Sequence, residues 1–216
     1  AIDSLDLEAS YQNLVDDSVV MAKAFRELGI KKNDIVCISM PNVYQAVAAF
    51  FALNRIGACT TFLNSFSSED EIIHYLNEFE SPIFINYDKN YDYNNIIKKN
   101  TKVKQIITLN KENVNNRDFN YNKNIGYNDF VDFNDLGAIA NYYNGFSNNI
   151  HKGNNDALIL FTSGTTGTPK AVVLTNKNIV ASCIYLKNSS NTKTKKGEST
   201  LVCVPFTYPY GFATST

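Results

Sequence analysis

The sequence predicts an α/β fold, a parallel sheet flanked by helices, and three observations carry that expectation. Short apolar runs rich in Ile, Val, Phe and Cys recur between residues 35 and 110. Stretches of helical period separate them, with roughly the 10–15 residues that link the strands of a βαβ unit. Gly29, Gly57 and Pro82 punctuate the alternation where one element must stop.

Taken in order, Leu14, Met21, Phe25 and Leu28 fall at helical spacing, and Gly29 follows where a helix C-cap calls for a positive φ. Lys31 to Asp34 form a polar turn into a strand over Ile35–Met40. Pro41 and Asn42 open a second helical pattern, through Val47, Phe50, Phe51 and Ile56, that stops at Gly57. Cys59–Leu63 is the next strand. Ser68, with Glu71 three residues on, is a capping-box signature for a third helix through Ile72, Ile73 and Leu76. Beyond Pro82, Ile83–Tyr87 and Val103–Leu109 are strands. Asp156–Phe161 and Ala171–Thr175 are two more β-prone runs, and Asn176–Leu186 is helical.

From Asn86 to Asn155 the composition changes, and 20 of these 70 residues are asparagine. Such a tract reads as variable surface loops rather than as a polar binding surface. Phe119, Phe130, Phe133 and Tyr142 interrupt it, so parts of it should dock on the core. The expected organisation is an α/β subdomain over 1–110, an Asn-rich connection over 111–155, and a strand-loop-strand-helix segment over 156–216.

The chain has 216 residues, long enough for one sizeable core. With 20 Lys and Arg against 21 Asp and Glu, it lacks the basic footprint of a nucleic-acid binder. Small molecules or proteins are the expected partners. The four cysteines, Cys37, Cys59, Cys183 and Cys203, are far apart, and His74 and His151 are isolated, so no metal site is expected. Mostly apolar surroundings predict buried, reduced thiols, as in a cytoplasmic protein. No apolar run reaches the ~18 residues of a membrane span. The start at Ala1 without methionine and the stop at Thr216 suggest part of a longer chain.

The chemistry concentrates between the last two β-prone runs, in Thr162-Ser163-Gly164-Thr165-Thr166-Gly167-Thr168-Pro169-Lys170. These nine residues hold five hydroxyls, two glycines and one lysine. Gly164 and Gly167 free the backbone to approach a ligand. Exposed N–H groups and hydroxyls then face phosphate oxygens, and Lys170 adds a point charge. The nucleotide loop G-x-x-x-x-G-K-[ST] is a different pattern, because Pro169 and Ala171 stand where it needs Gly and Ser or Thr. Composition alone also fits an ordinary flexible turn.

The order of residues adds more. Leu160-Phe161, the nine-residue loop and Ala171-Val172-Val173-Leu174-Thr175 closely resemble the phosphate-loop signature of the adenylate-forming (AMP-binding) superfamily. That superfamily includes acyl-CoA synthetases, peptide-synthetase adenylation domains and luciferases. Tyr11–Leu14, Glu27–Ile30, Asp34–Val36, Pro41-Asn42 and Ile56–Ala58 are similar to its early block. Val204-Pro205-Phe206-Thr207-Tyr208-Pro209-Tyr210-Gly211 is similar to its Pro-aromatic-Gly block. Two departures stand out: Ala171 replaces the usual Gly, and Tyr208 replaces a common His.

The resemblance implies part of the large N-terminal domain of an ATP-dependent acid–thiol ligase, with the C-terminal domain lying outside this sequence. It implies that ATP and a carboxylic acid form an acyl-adenylate, and that coenzyme A is the acceptor. Thr162, Ser163, Gly164, Thr165, Thr166, Gly167 and Lys170 would hold the ATP phosphates, with Mg2+ bridging them rather than sitting in a protein cage. Tyr208, Tyr210 and Gly211 would contact substrate, unless the two tyrosines are simply aromatic core. The family's later catalytic motifs have no counterpart here, so residues 1–216 alone are expected to be inactive. A peptide-synthetase-type adenylation domain, or a relative that binds nucleotide or acyl group without catalysis, stays open.

Overall fold

The computed structural model describes residues 7–122, 128–145, 153–162, 170–189 and 203–208. Ser10 caps the first helix, α1 (Tyr11–Glu27): its hydroxyl accepts from the Asn13 N–H at 3.1 Å, and Asn13 Oδ1 accepts from the Ser10 N–H at 2.9 Å. This reciprocal pair satisfies two donors that the helix cannot. Gly29 ends the first helical segment at φ 87°, and Gly57 ends the second at φ 78°. Side chains disfavour both conformations.

The strands are β1 (Ile35–Ser39), β2 (Cys59–Phe62), β3 (Ile83–Tyr87), β4 (Gln105–Leu109), β5 (Phe130–Asp132), β6 (Asp156–Thr162) and β7 (Lys170–Thr175). They form one sheet in the order β5-β4-β3-β1-β2-β6-β7. Every neighbouring pair is parallel except β6 and β7. The parallel sheet that the sequence predicts is thus present, with one antiparallel pair added at its edge. Only residues 163–169 join the strands of that pair, and a parallel crossover needs a dozen or more.

Apart from its exposed edge strand β7, the sheet is covered on both faces. Val36, Ile38, Ile83, Ile85, Ile107 and Leu158 pack with α1, α2 (Tyr44–Arg55) and α5 (Leu136–Ala140). Cys37, Phe84 and Ile106 face the other way, against α3 (Glu69–Glu78) and α4 (Tyr91–Asn100). Alternate residues of one strand thus serve opposite layers, as the pleat requires. Ser68 caps α3 by accepting from the Glu71 N–H at 3.3 Å. The last helix, α6 (Asn176–Ser189), follows β7 directly.

Three expectations need correcting. α2 begins at Tyr44, with Val43 as its uncapped N-cap, because the Asn42 side chain is engaged elsewhere. The Asn-rich tract contains α4, β5 and α5 rather than loops alone. Its aromatics divide: Phe133 is buried, Phe119 and Phe130 pack against the core, and Tyr142 is exposed. Cys37 and Cys59 are buried, but Cys183 is half-buried and Cys203 exposed. The last two lie on α6 and in the 203–208 segment, outside both core clusters.

The tract is tied down by polar contacts as well. Asp17 on α1 accepts from Tyr44 Oη at 2.7 Å and from Arg117 Nε at 3.0 Å and Nη2 at 3.3 Å. Asn94 on α4 accepts from Asn86 Nδ2 at 2.8 Å and donates to Thr108 Oγ1 at 3.0 Å. These bonds offset the cost of burying amides beneath the helix.

Candidate functional site

Parallel strands β1, β2 and β6 all end on one edge of the sheet, and open α/β sheets bind ligands beyond such ends. Ser39 closes β1 there, Phe62 closes β2 and Thr162 closes β6. Because β7 runs antiparallel, its first residue, Lys170, returns to the same edge. Thr162 and Lys170 are direct partners in the ladder, and Thr162 Oγ1 donates to the Lys170 carbonyl oxygen at 3.4 Å. Both side chains are exposed. A hairpin thus holds the ends of the hydroxyl-rich loop together at the open rim of the sheet. Ser163, Gly164, Thr165, Thr166 and Gly167 lie outside the described residues. Ala171 sits within β7 opposite Phe161 and is absent from the positive-φ residues, so its Cβ is tolerated there.

The 203–208 segment reaches this edge through Asn42. Asn42 Nδ2 donates to the Val204 carbonyl at 2.8 Å, and the Phe206 N–H donates to Asn42 Oδ1 at 3.0 Å. Phe206 is buried, its ring 5.8 Å from that of Phe62. The Tyr208 N–H closes a turn onto Pro205 O at 3.0 Å.

Tyr208 is consequently delivered, exposed, to a cleft of about 160 Å3. Leu63, Glu71, Tyr75, Phe161 and Thr207 also line it. The Tyr75 and Phe161 rings lie 4.7 Å apart and form an aromatic wall. Burial, and after it the Glu71 and Glu78 carboxylates, raise the Tyr75 hydroxyl above its ordinary pKa, so it stays a neutral donor. The cleft is smaller than the roughly 300–1,000 Å3 of a complete ligand pocket. It can receive a small group or form one wall of a larger site. Tyr210 and Gly211 lie outside the described residues.

Asn42, Glu71 and Tyr75 were not identifiable as site residues from spacing. Glu71 reads locally as a helix-capping residue, and Asn42 meets its partners from more than 160 positions away. Among the described residues no group of three or more His, Cys, Asp or Glu is placed to hold a metal ion. No helix among them is long and apolar enough to cross a membrane.

The family model described as AMP-binding enzyme matches residues 2–216. The chain belongs to that family. Among AMP-binding relatives, it is 27% identical to luciferin 4-monooxygenase of Photuris pensylvanica over 95% of this chain and 37% of that protein. It is also 27% identical to 4-coumarate--CoA ligase 3 of Arabidopsis thaliana, over 85% of this chain and 30% of the ligase. The chain therefore spans about a third of the length of these curated relatives. Its fold matches the crystal structure of a putative long-chain-fatty-acid CoA ligase from Rhodopseudomonas palustris CGA009. The TM-score is 0.75 at 16% identity, covering 95% of this chain and 47% of that one.

Proposed function

We propose that this AMP-binding chain is part of an ATP-dependent acid–thiol ligase, and that the loop between β6 and β7 holds the triphosphate. The observation that carries this reading is the Thr162–Lys170 closure, which presents a hydroxyl-rich loop and an ammonium group at the strand ends. In the first half-reaction a carboxylate oxygen attacks the α-phosphorus of ATP. The bond to the bridging oxygen breaks, pyrophosphate leaves, and an acyl-adenylate remains. In the second, a thiol sulfur, that of coenzyme A, attacks the acyl carbon, loses its proton and expels AMP.

Thr162, Ser163, Gly164, Thr165, Thr166, Gly167 and Lys170 would serve the β- and γ-phosphates, offsetting the charge that grows on the leaving pyrophosphate. Hydroxyls, backbone N–H groups and one ammonium suit phosphate oxygens and offer a divalent cation no carboxylate. That donor set fits Mg2+ arriving on the nucleotide, where it would neutralise phosphate charge. Tyr208, with Tyr75 and Phe161, would face the carboxylic acid, and Tyr210 and Gly211 would complete that wall.

The test is carboxylate-dependent exchange of labelled pyrophosphate into ATP by the full-length protein. Aliphatic, aryl and amino acids are offered in turn, followed by coenzyme A. Exchange with one acid, and AMP release on adding coenzyme A, is the expected result. ATP binding with no exchange for any acid would mark a non-catalytic relative instead. Exchange without transfer to coenzyme A would point to a different thiol.

A further inference from the structure

Asn144-Gly145 is the one Asn-Gly pair in the sequence. It lies just beyond α5, in a stretch that is neither helix nor strand, and both residues are exposed. Glycine has no Cβ to keep its nitrogen away from the preceding side chain. Of the backbone nitrogens that follow an asparagine here, that of Gly145 is the least shielded.

Other exposed asparagines are held away from the same encounter. Asn64, Asn116 and Asn120 each accept, through Oδ1, from the N–H two residues on, at 3.0, 2.6 and 3.0 Å. Such a turn points the side-chain carbonyl past the next nitrogen, and it must break before that nitrogen can attack. Among the described residues, Asn144 and the Gly145 N–H have no hydrogen-bond partner. Position 145 is also open: among those residues a Cβ there would meet nothing closer than the Tyr143 hydroxyl at 3.5 Å. Neither hydrogen bonds nor packing fix the pair, so the backbone can bring the two atoms together.

We propose that Asn144 is a site of spontaneous, isoaspartate-forming modification. The Gly145 nitrogen, giving up its proton, forms a bond to Asn144 Cγ. The Cγ–Nδ2 bond breaks, ammonia leaves with that proton, and a cyclic succinimide remains. Water then opens the ring, at Cγ to give aspartate or at the main-chain carbonyl to give isoaspartate. No atom is oxidised or reduced, and water is the one co-reactant. Either product adds a carboxylate to a chain of formal charge −1. Isoaspartate also routes the main chain through Cβ and Cγ, which lengthens the link between α5 and β6 by one methylene. None of the residues involved belongs to the phosphate loop or to the Tyr208 cleft.

The test follows deamidation of the folded full-length protein at about pH 7.5 and about pH 8.5, read by peptide mass mapping that separates aspartate from isoaspartate. Asn64, exposed and followed by the small Ser65, is the internal reference. Asn144 should convert at least roughly 10-fold faster than Asn64, whose hydrogen bond and Ser65 Cβ both stand in the way. Isoaspartate should appear beside aspartate, and the rate should rise about 10-fold over the pH unit, as the deprotonated nitrogen does. Gly145→Ala, which fits the open space, should slow conversion about 10-fold while the melting temperature holds. Equal rates at positions 144 and 64 overturn the proposal. Aspartate formed without isoaspartate also overturns it, as does a rate that Gly145→Ala leaves unchanged, since both mark direct hydrolysis of the side-chain amide.

Discussion

Asn42 and Phe206 are joined across 164 positions of sequence, the Phe206 N–H donating to Asn42 Oδ1 at 3.0 Å. The same amide donates to Val204 O at 2.8 Å, so one side chain pins both ends of a turn. Replacing it leaves two backbone groups without partners in a half-buried setting. Asn42→Ala should cost about 1–3 kcal/mol of stability in the full-length protein. Because the turn delivers Tyr208, the KM for the carboxylic acid should rise more than the KM for ATP. Asn42→Asp keeps the acceptor for Phe206 but sets an oxygen against the Val204 carbonyl, so it should rescue little. Equal changes in the two KM values would show that Asn42 serves stability alone.

The Asn-rich tract offers a sharper packing test at Gly137 on α5. A Cβ there would lie 2.5 Å from the Phe119 Cβ and 2.8 Å from the Asn120 carbonyl oxygen. Neither atom is the far end of a flexible side chain, so backbone must move. Gly137→Ala gains about 1 kcal/mol from helix propensity. Overpacking costs about 1–3 kcal/mol, and here it falls on backbone, so net destabilisation is expected. Denaturant melting decides it, and a more stable Gly137→Ala would mean that residues 119–121 do not dock on α5.

Those two results mark what the sequence made legible. Strands β1, β2, β3 and β6 are continuous apolar runs because both of their faces are buried, so their composition announces them. Helix α4 was silent because its buried face is Asn94 and Ile97, and an asparagine there carries no hydrophobic period. Its burial is explained only by Asn86 and Thr108, which the sheet brings into range. At the site, the loop was readable because its chemistry lies within nine consecutive residues. Asn42 and Tyr75 were not, since each acquires its role from partners distant in sequence, the 203–208 turn for Asn42 and Phe161 of β6 for Tyr75.

Burial also sets a pH limit. It pushes the Cys37 thiol from 9.0 up to about 12. Cys59 rises to about 12 as well, by burial and then by the nearby Asp156 carboxylate. An unfolded chain releases these protons near 9 and the folded one holds them, so the contribution is complete below 9. It is lost as pH rises from about 9 to 12, at up to roughly 1.4 kcal/mol per pH unit for each thiol. Stability measured at about pH 8 and pH 10.5 should fall more steeply for the wild type than for Cys37→Ala/Cys59→Ala. Parallel slopes would show that both thiols ionise freely in the folded state.

Lys170 tests the loop itself. It opens β7 at the rim of the sheet, opposite Thr162, and its side chain is exposed. A lysine bonded to a phosphate oxygen contributes about 1.5–3 kcal/mol as a charged hydrogen bond. Lys170→Met keeps most of the stem and removes the charge. In the full-length protein the adenylation half-reaction should fall about 10- to 150-fold in kcat/KM for ATP. The melting temperature should hardly move, because an exposed side chain at a strand end adds little to the core. Thr166→Val, which removes a neutral donor, should lower the rate by less, about 2- to 10-fold. Thr162→Val also deletes the bond to the Lys170 carbonyl, so it should lose both rate and a little stability. This ordering separates a phosphate contact from a structural one: charge loss at 170 must act on turnover and leave folding alone. If Lys170→Met instead lowers the melting temperature while ATP kinetics stay intact, the lysine holds the hairpin together and the loop does not grip phosphate.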